Sequence, residues 1–215
     1  MPTNRQWILR RRPAGEIVPD DLELIETVTP ELQDGEVLVR NIYLSLDPTH
    51  RIWMSDQDQY LPPVQIGEVM RGGAIGVVEQ SRNAALPEGE IVNAGLGGWQ
   101  DYAVVHEGMA RRVPHLSDVP LTAHMSVLGA TGLTAYFGLN DIGKPQPGET
   151  VVVSAAAGAV GSIVGQLAKL QGCRVIGIAG GPKKCRWLTQ DLGFDGAIDY
   201  RSEDVGEALA RLAPN

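Results

Sequence analysis

The residues in this chain best placed to do chemistry are small ones. Ala156, Gly158 and Gly161 occupy positions one, three and six of a G-x-G-x-x-G/A pattern within the run Ala155-Ala156-Ala157-Gly158-Ala159-Val160-Gly161. A turn of this kind binds rather than reacts. The backbone at Gly158 would admit a pyrophosphate, and Gly161 would let a helix close against its strand, with Ala156 standing in for the first glycine. The flanks supply the context such a pattern needs. Thr150 to Val153 is an unbroken β-branched run of the sort a parallel sheet buries on both faces, and Val160, Ile163, Val164, Leu167 and Ala168 recur at helical spacing. A helix that starts at this turn presents unbonded N–H groups and its positive dipole end to an anion. The expected ligand is a dinucleotide. The other reading is a tight turn that needs small residues only for packing.

Charge decides which dinucleotide. A cofactor without a 2′-phosphate is usually held by an Asp or Glu about 20 residues past the turn, at the end of the second strand. Here the second strand, Arg174 to Ala179, runs into Gly180-Gly181-Pro182-Lys183-Lys184, and no acid occurs between Glu149 and Asp191. Lys169, Arg174, Lys183, Lys184 and Arg186 fall inside that interval, in a chain of formal net charge −8. Cations at a helix start oppose the dipole unless an anion compensates them, so the pattern points to NADP(H) rather than NAD(H). A solvated helix start is the alternative.

These residues need a scaffold, and the chain divides into two compositional parts. Short alternating strands broken by Gly and Pro dominate the first: Gln6–Leu9, Glu36–Leu44, Gly73–Glu79, Ile91–Asn93, Gln100–Val105 and Arg111–Val113. They predict an irregular, β-rich, barrel-like domain over residues 1–121. Leu121 to Leu139 is rich in small residues and predicts one or two helices interrupted by Gly129 and Gly132. From Thr150 the order is strand, helix, strand, helix, strand, helix, an α/β pattern with a parallel sheet. The second helix is expected from Lys183 to Leu192, the third strand at Gly196–Tyr200, and Ser202 as the cap of the last helix. Three parallel strands make the first half of a doubly wound domain, so residues 122–215 read as a partial Rossmann domain and the chain as C-terminally cut short.

At 215 residues the chain can bury a substantial core. Arg10-Arg11-Arg12 is followed by Pro13-Ala14-Gly15 instead of an apolar run, so no signal peptide is expected, and no stretch is long enough to span a bilayer. Cys173 and Cys185 cannot form a disulfide framework. A reduced, cytoplasmic protein with no membrane partner is expected, and its acidity argues against nucleic acid as partner.

With these features in hand, the chain resembles the zinc-independent medium-chain dehydrogenase/reductases, most of all the prostaglandin reductase, leukotriene hydroxydehydrogenase and alkenal double-bond reductase group. The resemblance spans nearly the whole chain. Its most specific pieces are Asn41-Ile42-Tyr43-Leu44-Ser45-Leu46-Asp47-Pro48 with Arg51, then Gly98-Trp99-Gln100-Asp101-Tyr102, Leu133 to Leu139, and Ser154 to Lys169. It implies a GroES-like barrel followed by a Rossmann sheet, and a longer parent that pairs as a homodimer. Ser45 and Asp47 stand where metal-binding cousins carry their first zinc ligand, and Gly67-Glu68 lacks the following His, so no metal is expected. His50, His106, His115 and His124 read as surface or packing residues.

The resemblance also implies roles. Lys184 and Tyr200 would hold the 2′-phosphate side of NADP(H), with Gly180 leaving room, while Gly158, Ala159 and Val160 lie under the pyrophosphate. Met125 and Thr131 would approach the nicotinamide. Without a metal, reduction of a conjugated C=C is more accessible than oxidation of an isolated alcohol, because hydrogen-bond donors can stabilise enolate charge on the carbonyl oxygen. Tyr43 is the candidate donor, and Asp47 and Arg51 would form a structural pair. Thr49-His50 replaces the group's aromatic–Met pair, so the acceptor pocket is expected to differ. The substrate implied is a small α,β-unsaturated aldehyde or ketone; a quinone reductase and a non-catalytic NADPH-binding fragment are the alternatives.

Overall fold

The structure, a computed structural model, describes residues 1–106 and 108–214. It comprises two compact units, Met1–Ser117 and Asp118–Asn215.

In the first unit, β1 (Thr3–Leu9) and β2 (Leu22–Val28) form an antiparallel hairpin in register from Thr3↔Val28 to Leu9↔Leu22. A five-stranded antiparallel sheet follows, built from β3 (Glu36–Leu44), β4 (Ala74–Ser81), β5 (Ile91–Asn93), β6 (Tyr102–His106) and β7 (Arg111–Arg112), in the order β6-β3-β4-β5-β7. Isolated bridges at Gln6↔Gln100 and Ile8↔Val69 stitch the hairpin to the rest of the unit. The ranges of β3 and β5 match the alternation read from sequence. Val37 and Val39 of β3 meet Val78, Val92 and Val105 in one fully buried cluster, while Arg40 turns outward to Glu79 at 3.1 Å. The hairpin strand β2 was not among the expected strands. Its apolar Leu24 and Val28 are exposed at 47% and 66%, so β2 lacks the one-sided burial that makes a strand readable. A short helix, α1 (Thr49–Trp53), follows β3.

The second unit begins with a 3₁₀ turn at Leu121–Met125, then α2 (Ala130–Phe137) running into a π-helical turn at Gly138–Gly143. Gly132 does not interrupt α2; it lies buried within it against the Val127 carbonyl. Next come β8 (Thr150–Val153), α3 (Ala159–Leu170), β9 (Arg174–Ala179), α4 (Pro182–Gln190), β10 (Gly196–Asp199) and α5 (Val205–Leu212). The three strands are parallel in the order β10-β9-β8, each reached through a helix, as in the first mononucleotide-binding half of a doubly wound sheet. Val153, Val175, Leu188 and Phe194 bury one face, Ile176, Ile198 and Ala208 the other. The cap of α5 is Asp204, not Ser202: Asp204 Oδ1 accepts the Glu207 N–H at 2.9 Å, whereas the Ser202 hydroxyl donates to the Asp199 carbonyl at 3.3 Å. No helix among the described residues is long and apolar enough to cross a membrane.

Candidate cofactor site

The site forms where β8, β9 and β10 end. The chain leaves β8 through a turn in which Ala155 takes a left-handed conformation, φ +47°. Sequence spacing assigns the first fingerprint position to Ala156, yet the left-handed residue is its neighbour. Ala156 is fully buried, and its N–H donates to the Ile178 carbonyl at 3.0 Å, fastening the turn to β9. Gly158 is the N-cap of α3, with extended backbone and no side-chain hydrogen bond at the cap. The first N–H groups of α3, from Ala159 onward, are therefore left to a ligand. Gly161 sits one turn in, where a Cβ would stand 2.5 Å from the Ala155 carbonyl oxygen and 2.9 Å from Ala156 Cα. Only a glycine lets the helix press this close to the strand.

A cavity of about 210 Å³ opens beside the turn, lined by Ala155, Ala157, Gly158, Ala179, Gly180, Lys184 and Tyr200. Four residues expected to hold cofactor, Gly158, Gly180, Lys184 and Tyr200, thus share one space. A Cβ on Gly180 would lie 2.7 Å from the Tyr200 hydroxyl and 2.9 Å from Arg201 Nε, so Tyr200 keeps its place only because residue 180 has no side chain. No lining residue is acidic, and the Lys184 ammonium is a cation on the wall. The space is smaller than a whole dinucleotide needs and suits its ribose-phosphate end, so the residues present fit the adenosine half of NADP(H).

The basic interval read from sequence does not converge as a whole. Lys169 Nζ pairs with Asp195 at 2.9 Å, and Arg174 donates to the Leu212 carbonyl at 3.0 Å, so both serve the scaffold. Asp199 is a support that sequence reasoning missed. Its Oδ1 accepts the N–H groups of Gly181 at 2.8 Å and Arg201 at 3.1 Å, and the first of these holds its carboxyl below the usual carboxylate range. The only sequence signal was an acid ending the third strand, which has no spacing rule. Met125 and Thr131 do not line the cavity; the Thr131 hydroxyl donates to the Ser126 carbonyl at 3.0 Å.

Tyr43 belongs to the first unit. It lies near the end of β3, 41% exposed, just after a register shift opposite β4. Beyond it the Ser45 hydroxyl hydrogen-bonds the Asp47 carboxylate, and the Asp47 N–H donates to His50 Nδ1 at 3.1 Å. Arg51 is not paired with Asp47 as the sequence suggested; it donates to the carbonyls of Pro13 and Gly15, both at 3.0 Å. His50 is buried between the rings of Trp53 and Trp99, each 5.2 Å away, and Thr49 meets the Tyr60 hydroxyl at 2.6 Å. Among the described residues no three His, Cys, Asp or Glu are grouped to hold a metal ion.

A β-rich unit followed by a parallel half-sheet with a glycine turn between its first strand and helix is the architecture of the two-domain, nucleotide-binding class of proteins. Residues 5–113 match the family described as the N-terminal domain of oxidoreductase, and residues 159–215 match the one described as zinc-binding dehydrogenase. The chain belongs to the medium-chain dehydrogenase/reductases, in their zinc-independent group. It is 46% identical over 213 residues to the NADPH-dependent curcumin reductase of Escherichia coli, covering 98% of this chain and 61% of that protein. It is 41% identical to prostaglandin reductase 1 of Bos taurus, covering 98% and 62%. The solved structure of CurA from Vibrio vulnificus in complex with NADPH is similar at a TM-score of 0.88 and 47% identity, over 96% of this chain and 61% of that one. The chain thus spans about three fifths of the length of the relatives it matches.

Proposed function

We propose that this chain carries the substrate unit and the adenosine-binding half-sheet of an NADPH-dependent reductase that saturates the C=C bond of α,β-unsaturated aldehydes and ketones. The observation that carries the reading is the cavity at the ends of β9 and β10, walled by Lys184, Tyr200 and Gly180 and by no carboxylate. The names of the relatives, curcumin reductase and prostaglandin reductase, support a small-molecule acceptor.

NADPH, when bound, supplies a hydride. The chain's own residues do the rest. Gly158, Ala159 and Val160 present the start of α3 to the pyrophosphate, and Gly161 keeps the turn closed on β8. Lys184 and Tyr200 hold the 2′-phosphate side, and Met125 and Thr131 are assigned to the nicotinamide side. The Tyr43 hydroxyl donates to the substrate carbonyl, stabilising the negative charge that develops on its oxygen. The unbridged Cys173 and Cys185 support a reducing compartment, and with it the cytoplasmic reading.

The test is an absorbance assay of NADPH and NADH consumption with a medium-length 2-alkenal and with a quinone. NADPH-dependent turnover of the alkenal is the expected result. Turnover of the quinone alone would move the reading to a quinone reductase, and a preference for NADH would overturn the cofactor assignment. Tight NADPH binding without turnover would make this chain a nucleotide binder and not a reductase.

A further inference from the structure

Tyr200 and Lys184 are the wall residues that the resemblance assigns to the cofactor's 2′-phosphate, and a third group, Arg201, lies beside Tyr200 just outside the lining. Arg201 Nε would lie 2.9 Å, and the Tyr200 hydroxyl 2.7 Å, from a Cβ placed on Gly180. Among the described residues its guanidinium makes no hydrogen bond or salt bridge with a protein group. It lies instead over the Tyr200 ring, 5.9 Å from the centroid. Its backbone is pinned: the Arg201 N–H donates to Asp199 Oδ1 at 3.1 Å, and the same oxygen takes the Gly181 N–H at 2.8 Å. Of the neighbouring acids, Glu203 is paired with Arg211 at 3.0 Å, while Asp199 takes those two N–H groups and feels the Arg201 charge without a hydrogen bond or ion pair to its guanidinium.

An arginine with a fixed backbone, a guanidinium held over the Tyr200 ring and a fork that no protein group among the described residues hydrogen-bonds is prepared for an anion with several acceptor oxygens. We propose that Arg201 is a specificity-determining residue that reads the 2′-phosphate of NADP(H). The proposal rests on the NADP(H) reading above and adds a residue to it. Lys184 contributes a point charge on the cavity wall. Arg201 contributes paired N–H donors that a phosphate can satisfy and a ribose hydroxyl cannot. Gly180 permits the arrangement, because any side chain there would displace both Tyr200 and Arg201.

The experiment titrates wild type, Arg201→Gln and Arg201→Lys with adenosine 2′,5′-bisphosphate and with adenosine 5′-monophosphate, which differ only in the 2′-phosphate. Calorimetry is the readout, and thermal unfolding checks that each variant is folded. Wild type is expected to prefer the bisphosphate. Arg201→Gln should lose roughly tenfold on the bisphosphate, the scale of a hydrogen bond to a charged group, and nothing on the monophosphate. Arg201→Lys keeps the charge without the fork and should fall between the two. If Arg201→Gln discriminates as well as wild type, Arg201 has no such role and the NADP(H) reading stands. Equal loss on both ligands would make Arg201 structural and overturn the proposal. A wild type that cannot tell the two ligands apart overturns the proposal and the cofactor reading together.

Discussion

The N–H of Gly181 donates to Asp199 Oδ1 at 2.8 Å, tying the loop after β9 to the end of β10. Gly181 also has φ +97°, a conformation that suits glycine, so the loop that shapes the cavity depends on this one bond and one backbone allowance. Asp199→Ala should free the Gly180-Gly181 loop, speed hydrogen exchange at the Gly181 N–H and weaken NADPH several-fold. Asp199→Asn keeps the acceptor oxygen and should bind nearly as wild type. The carboxyl is held below its ordinary value of 3.8, so its contribution is complete above that value and is lost as pH falls through the lowered one. Asn at this position should remove that acid-side loss, which acid titration of the unfolding midpoint would reveal.

The helix–strand contact at Gly161 is tested by filling it. A methyl there meets the Ala155 carbonyl oxygen at 2.5 Å, and backbone cannot swing aside as a flexible side chain can. The helix preference of Ala over Gly, about 1 kcal/mol, does not offset the clash, and Gly161→Ala should cost roughly 1–3 kcal/mol net. Gly138 is the control. It has helical backbone, φ −59° and ψ −43°, and open space around its Cβ position, so Gly138→Ala should be neutral or stabilising. Denaturant unfolding of both variants would show whether close approach, and not glycine removal as such, sets the cost.

What could be read from residues alone follows a physical line. Strand β3 was legible because Val37 and Val39 bury on one face between two neighbours, and the β8-turn-α3 unit because its periodicity changes within a few residues. Hairpin strand β2 was illegible because neither of its faces is consistently buried. At the site, the resemblance singled out Gly180 and Lys184, while local spacing found the turn at Gly158, directly after β8. Spacing could not separate Lys184 from Lys169, because the partner of Lys169 is Asp195, reached only after the chain has passed through α4. For the same reason Asp47 and Arg51, four residues apart, looked like a pair although Arg51 is committed to carbonyls of a loop near the N-terminus. Long-range partners leave no periodic trace.

His50 makes the first unit sensitive to acid. Burial pushes its imidazole below the ordinary value of 6.5, although the Asp47 carboxylate 3.7 Å from Nε2 acts in the opposite sense. Nδ1 accepts the Asp47 N–H, so the neutral ring is the form that fits. The unfolded chain therefore takes up a proton first: stability is full above pH 6.5 and declines as pH drops below it toward the folded value. Trp53 and Trp99 pack on the ring and report the change directly. Unfolding followed by tryptophan fluorescence on either side of that pH should show the decline in wild type and a flatter profile in His50→Gln.

Tyr43 carries the chemical part of the functional proposal, and its exposure separates that part from folding. At 41% exposed near the end of β3, its hydroxyl makes no hydrogen bond among the described residues, so removing the oxygen leaves no buried partner unsatisfied. Tyr43→Phe should therefore unfold like wild type. Because the hydroxyl is assigned to the oxygen on which charge develops, its loss should fall on kcat, by about a hundredfold, the scale of one lost oxyanion donor. The Kd for NADPH, set by residues of the second unit, should not move. Steady-state rates with a 2-alkenal beside an NADPH titration decide the matter. A loss confined to KM would make Tyr43 a substrate contact only, and no loss at all would pass the donor role to another residue.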